Sequence, residues 1–184
     1  MNDVYSIFKV RRSSIGKYQK YISLLVRFPR FNRLIKAIGP LRYEVPIWGS
    51  LDDAVLYAVI GQMLSGGATF SIIRNLLNRF KQSSRVISWA SRQKASGALY
   101  GISERKRRAL MEWQVFYAKY GNQCREWAQV ALEEYRKQVD SIWGFGRWSA
   151  DMIGTLHLGR MDIWPETDSG ISRASRIIFE TALS

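Results

Sequence analysis

The chain has a single cysteine, Cys124, and a single histidine, His157, among 184 residues. One thiol per chain leaves no internal disulfide, no thiolate zinc site and no cysteine-ligated iron–sulfur cluster. No apolar run approaches the length of a bilayer span. No basic start followed by a short apolar stretch and small residues marks a secretory signal. A reducing compartment and no membrane partner are therefore expected: cytoplasm and nucleoid in a bacterium, nucleus or organelle in a eukaryote. Period-two alternation, the mark of a half-buried strand, is nowhere sustained, and no internal repeat or low-complexity segment is present.

Acids are also scarce: 15 against 28 lysines and arginines, a net charge of +13 and an isoelectric point near 10.2. A domain this basic suits a polyanion, of which nucleic acid is the commonest. Hydrophobic residues at 47% and charged residues at 23% form an ordinary globular balance. The length suits one domain with its own core. The charge is uneven. Residues 1–43 carry ten bases and one acid, Asp3. They are read as a basic helical extension packing on a main domain of residues 44–184.

Apolar spacing predicts helices throughout, so the fold class is all-α. Tyr18, Tyr21, Ile22, Leu25 and Phe28 suggest a helix near 15–28, ended by Pro29. Phe31, Leu34, Ile35 and Ile38 suggest a second, stopped at Gly39-Pro40. Ser50-Leu51-Asp52-Asp53 reads as a cap with acids in the first turn. Val55, Leu56, Val59, Ile60, Met63 and Leu64 follow on a buried face. Ser65-Gly66-Gly67 is expected to break that helix. Further helices are expected over 68–80, 86–95, about 104–120, 124–139 and 148–158, with a last one from Ser169. Leu110, Trp113, Phe116 and Tyr117 are expected to point inward. Trp48, Trp113, Trp143 and Trp164 are expected as core or interface anchors, and His157 as structural.

The stretch Ile142-Trp143-Gly144-Phe145-Gly146-Arg147-Trp148-Ser149 places two glycines, one residue apart, between two amphipathic helices. Glycine tolerates positive φ and allows close approach to a ligand. The following helix presents free N–H groups suited to phosphate oxygens. Such contacts grip a backbone without reading sequence. The candidate backbone-binding residues are Gly144, Phe145, Gly146, Arg147 and Ser149. Arg105 and Lys106, from the basic run 105–108, join them. Asp168 opens the last helix, where an N-terminal dipole favours a carboxylate. Taken alone it is an N-cap.

Downstream lies Leu158-Gly159-Arg160-Met161-Asp162-Ile163-Trp164-Pro165-Glu166-Thr167-Asp168-Ser169-Gly170. Together with the Gly-x-Gly turn, this resembles the helix-hairpin-helix (HhH-GPD) DNA glycosylase superfamily, in particular its 3-methyladenine DNA glycosylase II-like branch. Phe31–Leu41, Ile60–Ser65 and Leu99–Lys106 resemble further blocks of that family, in its order. Trp143 stands where the branch has proline, Met63 where it has a second glutamine, and Ser149 where it has threonine.

The resemblance implies a monofunctional enzyme that flips an alkylated base out of double-stranded DNA and hydrolyses its N-glycosidic bond. Asp168 would be the catalytic carboxylate, and an abasic site the product, as in base excision repair. Bifunctional relatives place a Schiff-base lysine two residues after the second glycine. This chain has Trp148 there. Trp148 and Trp164 would line the base pocket, and Gln62 would fill or prop the gap left by the base. The resemblance also allows a monovalent cation on hairpin carbonyls 142–146, and no other cofactor. A monomer is expected. Glu166 is expected to repel Asp168. The chain ends 16 residues after Asp168 (184 − 168). The family's last helices are accordingly expected to be missing, or replaced by the basic N-terminal ones. A catalytically weak or inactive DNA-binding protein of this fold, and a glycosylase for a deaminated or oxidised base, are the alternatives.

Overall fold

The computed structural model describes residues 22–39, 49–94 and 97–179. Most of the basic extension, and Pro40, Leu41 and Trp48, lie outside the described residues. The described part is all-helical apart from an isolated bridge between Leu99 and Ile102. Its helices are α1 (Pro29–Ile38), α2 (Leu51–Gly61), α3 (Gly66–Phe80), α4 (Ser83–Ser91), α5 (Glu104–Cys124), α6 (Leu132–Asp140), α7 (Arg147–Leu156) and α8 (Ser169–Phe179).

α2 forms the centre. It packs against α3, α4, α5 and α7, which is why its sequence is apolar nearly all round. Ser50 and Asp53 close a reciprocal capping box at its start, satisfying donors the helix leaves open. Asp53 also accepts the Ser83 hydroxyl, and Asp52 accepts the Trp113 indole N–H at 3.0 Å. The acid pair therefore fixes α2 to α4 and α5, a tertiary role beyond capping. Beneath the hairpin lies an aromatic cluster. The Trp113 ring lies 6.2 Å from Trp127 and 6.4 Å from Phe145. Trp127 meets Tyr135 edge-on at 5.6 Å, and the Tyr135 hydroxyl donates to the Ala150 carbonyl at 2.6 Å.

Several expectations change. Pro29 occupies the first turn of α1 rather than only ending a helix; its missing N–H costs nothing there. Gly66 and Gly67 lie inside α3, because Ser65 caps the Ala68 N–H. α4 begins three residues earlier than expected. The helix expected over 124–139 is only α6. α5 runs on to Cys124, with a kink at Tyr120, and turns fill 125–130. Arg160 gives the reason: its guanidinium donates to the carbonyls of Trp127 and Val130, both at 2.8 Å. These bonds hold the turns in place, because carbonyls freed from a helical ladder need donors. Met63, Leu64, Tyr117, Trp143 and Trp164 are exposed, not core. Trp127 is the fully buried partner of Trp113. α1 docks on α8 through Arg30, which donates to the Ile178 carbonyl at 3.2 Å, and through Phe31, whose ring lies 5.5 Å from that of Phe179.

The hairpin is seated on α5. A Cβ on Gly144, whose φ is 83°, would come within 2.8 Å of the Ala109 Cβ. Gly144→Ala is therefore expected to lose about 2–4 kcal/mol, from overpacking plus a left-handed backbone. Chemical denaturation would show this as a lower midpoint with an unchanged m-value.

Candidate active site and nucleic-acid interface

The two glycines do different things. Gly144 supplies the positive φ and the close approach to α5. Gly146 is extended, with φ −151°, and is the N-cap of α7 without any side-chain cap. Its lack of a side chain leaves the α7 amides uncovered, an arrangement that binds anions. Arg147, the first residue of α7, is part-exposed beside them. The Phe145 side chain is buried in the aromatic cluster, so only its backbone faces the turn. Ser149 is also buried. Its hydroxyl accepts from Gln62, so what it offers an anion is its backbone N–H.

Asp168 follows a tight loop in which Glu166 N–H donates to Trp164 O and Asp168 N–H to Pro165 O, both at 2.9 Å. Its Oδ1 accepts the N–H groups of Gly170 at 2.9 Å and Ile171 at 3.0 Å. Asp168 thus caps α8, as its position implies. Its Oδ2 accepts the Trp148 indole N–H at 3.0 Å. A carboxylate oxygen can take a second donor or face a cation, so Oδ2 retains capacity. The Trp148 ring is half-buried. Its far edge would lie 3.0 Å from a Cβ on Gly61, which is why α2 ends in glycine there. The hairpin helix therefore holds the carboxylate in place through one indole.

Glu166 pairs with Arg147 at 3.2 Å, which offsets the charge expected to repel Asp168. Arg147 also lies 3.7 Å from Asp151 Oδ2. Asp151 is fully buried; its Oδ1 accepts Arg136 Nε at 3.0 Å and Nη2 at 2.9 Å. Burial raises the Asp151 carboxyl above the usual range, against the pull of Arg136 and Arg147. This chain of charges ties α6, α7 and the Asp168 loop together.

The remaining expected residues divide. Gln62 Nε2 donates to Gly144 O at 2.8 Å and to Ser149 Oγ at 3.1 Å. It fastens α2 to the hairpin. Its neighbour Met63, missed in the sequence, is 100% exposed with φ 58°. An apolar side chain held out in solvent by a left-handed backbone is unusual. Helical periodicity had assigned it to the core. Trp164 is 59% exposed on the loop before Asp168. Lys106 does not face solvent phosphates. Its Nζ donates to the Ile60 carbonyl at 2.7 Å, capping α2, and burial lowers its pKa. Arg107 is buried on the carbonyls of Gly97 and Ile102. Of the run 105–108, only Arg105 and Arg108 are exposed.

Hairpin carbonyls Ile142, Gly144 and Gly146 accept from Phe145 N–H, Gln62 and Ala150 N–H. Each carbonyl has a second lone pair. Among the described residues no three His, Cys, Asp or Glu side chains gather as a metal site, and no helix is long and apolar enough to cross a membrane. A cavity of roughly 530 Å³ between residues 128–132 and 158–162 is separate from Asp168. The Arg160 guanidinium that lines it is already committed to the carbonyls of Trp127 and Val130 and to Asp162.

No protein-family model matches the chain. No curated protein matches it. The solved structures identify the architecture: the chain shares its fold with two 3-methyladenine DNA glycosylases. The chain is similar to the Schizosaccharomyces pombe 3-methyladenine DNA glycosylase in complex with abasic DNA, with TM-score 0.65 and 21% identity, over 82% of this chain and 75% of that one. It is also similar to the 3-methyladenine DNA glycosylase of Archaeoglobus fulgidus, with TM-score 0.66 and 20% identity, over 88% of this chain and 57% of that one. The chain thus spans little more than half of the archaeal protein.

Proposed function

We propose that this protein is a monofunctional DNA glycosylase that removes alkylated bases of the 3-methyladenine type and leaves an abasic site. One observation carries the reading: Asp168, the carboxylate of the matching motif, is held by the hairpin helix through Trp148 yet keeps bonding capacity on Oδ2. The uncapped α7 and Arg147 grip the DNA backbone. Met63 enters the stack as the base leaves it, offsetting part of an unstacking cost of a few kcal/mol. Trp148 and Trp164 meet the extruded base. Their electron-rich indoles suit a cationic alkylated purine.

The glycosidic bond then breaks with its electron pair on the base, which departs neutral, so no general acid is needed. The sugar carries oxocarbenium charge, which Asp168 stabilises. Water adds its oxygen to C1′ and its proton passes to Asp168 or solvent. With Trp148 at the Schiff-base position, no amine attacks the sugar and the strand stays uncut. A monovalent cation on the hairpin carbonyls is a structural part of this proposal and takes no part in the chemistry. The basic residues 1–43 are proposed as an extension of a glycosylase domain formed by 44–184, acting as a monomer on damaged duplex DNA.

The test is incubation with duplex oligonucleotides carrying methylated, deaminated or oxidised bases, followed by alkali. The expected result is alkali-dependent cleavage at alkylated purines and none without alkali. Duplex binding with no cleavage on any substrate would instead indicate a binding protein of this fold.

A further inference from the structure

Residues 54–103 contain no Asp or Glu and six bases: Arg74, Arg79, Lys81, Arg85, Arg92 and Lys94. All six are exposed. The acids of the main domain lie elsewhere, several of them on α6 and just before it. The exposed surface that this segment contributes therefore carries positive charge with no acid of its own to cancel it.

Two arginines, Arg79 of this segment and Arg108 of α5, are braced on aromatic rings. The Arg79 guanidinium lies 4.9 Å over the Tyr100 ring. Tyr100 is 52% exposed and sits in a two-residue turn at φ 50°, a conformation disfavoured for tyrosine. Leu99 and Ile102 close the turn with paired backbone hydrogen bonds. Gly101 presses on Ile72 beneath it. The second arginine, Arg108, lies 4.0 Å over the ring of Trp143, the hairpin residue that replaces the branch's proline; its Nε lies 3.8 Å from Glu112, a long pair that leaves the other N–H groups of the guanidinium open. Trp143 is 39% exposed. Arg105, Arg108 and Ala109 share one face of α5 by their spacing, and Ala109 is the residue under Gly144. Arg79, Tyr100, Arg105, Arg108 and Trp143 therefore form a strip that runs from the turn at Tyr100 to the hairpin. Five residues of helical rise make its α5 part about 7.5 Å long, a little over two base-pair steps.

We propose that this strip is a docking surface for duplex DNA flanking the damaged base. The inference rests on reading the hairpin as the backbone grip. A guanidinium laid flat on a ring loses rotamer freedom before binding, and turns its N–H edges outward toward phosphate oxygens. Single-stranded nucleic acid would use the rings as stacking platforms. Here the ring faces already carry arginines, which favours phosphates at fixed spacing.

The test compares wild-type protein with Arg79→Gln/Arg108→Gln, binding a fluorescent 25-base-pair duplex and a dT25 strand at increasing salt. The expected result is at least tenfold weaker duplex binding at 0.1 M salt. The slope of log affinity against log salt should fall by about 1.8, near 0.9 for each lost phosphate contact. Arg79→Lys/Arg108→Lys keeps the charge, loses the flat stacking, and should keep the slope with intermediate affinity. Thermal melting of each variant, within a few degrees of wild type, shows that the fold is intact; if the Gln pair melts early, the Lys pair and the two single Gln variants carry the comparison. Wild-type affinity and slope in the folded Gln variants would overturn the proposal, as would a loss confined to the single strand. A wild-type protein that binds no duplex would overturn both the strip and the hairpin reading. Binding and excision by wild type, with Gln variants unchanged, would overturn the strip alone.

Discussion

Asp168→Asn is expected to slow single-turnover excision of an alkylated base by about a thousandfold or more, since it removes the charge that offsets an oxocarbenium sugar. Duplex affinity should change little, because the backbone grip lies on α7. Stability should fall by the one bond Asn cannot replace, about 1–3 kcal/mol: its Nδ2 donates and cannot accept the Trp148 indole N–H that Asp168 Oδ2 accepts. Asn is as good an N-cap as Asp, so its side-chain oxygen can still accept the Gly170 and Ile171 N–H groups that Asp168 accepts. The rate gives the experiment its force: the lost Trp148 bond shows in melting, whereas a thousandfold loss of excision in protein that is still folded reports the missing charge. An unchanged excision rate in Asp168→Asn would remove Asp168 from the chemistry.

Arg136→Ala is expected to be the most destabilising single change outside the apolar core. It leaves Asp151, which is fully buried, without the guanidinium that bonds its Oδ1 twice. Arg147 at 3.7 Å from Oδ2 is a poor substitute, since it is part-exposed and shared with Glu166. Breaking a buried pair from one side costs about 3–5 kcal/mol. At about 2–4 °C per kcal/mol for a chain of this length, the melting temperature should drop by roughly 10 °C. The double variant Arg136→Met/Asp151→Leu removes both charges, and should recover most of that loss. Calorimetry on the three proteins measures the effect; a loss under 1 kcal/mol for Arg136→Ala would mean that Asp151 finds another partner. The pair matters for function because it joins α6 to α7, the two helices between which the glycine hairpin is held.

Local signals in the sequence translated faithfully into structure. Ser50 and Asp53 cap α2 because a capping box is complete within four residues. The Gly-x-Gly turn and the Asp168 cap depend on neighbours in the chain and were equally legible. Contacts between distant segments left no such trace. Arg160 holds the turns of 125–130 from thirty residues away, and no periodicity in that stretch announces it. Lys106 looks like one member of a basic run, but its position on α5 aims it at the open carbonyls of α2. Met63 carries an apolar side chain in phase with α2, so the pattern assigned it inward; the helix ends at Gly61 and the backbone turns left-handed, which sends it out. Nothing in the sequence announces the bond from Gln62 to the hairpin carbonyl of Gly144. The acid-free stretch 54–103 was visible as composition, but its meaning needed the placement of Arg79 on Tyr100 and Arg108 on Trp143.

The most direct measurement compares two duplexes that differ at one nucleotide. One carries a neutral tetrahydrofuran abasic site, the other a pyrrolidine whose ring nitrogen is protonated and imitates the charged sugar of the transition state. If Asp168 faces C1′, wild-type protein should bind the cationic duplex at least about a hundredfold more tightly, and Asp168→Asn should lose most of that preference. Equal affinity for the two duplexes in the wild type, or a preference that survives in Asp168→Asn, would contradict the account.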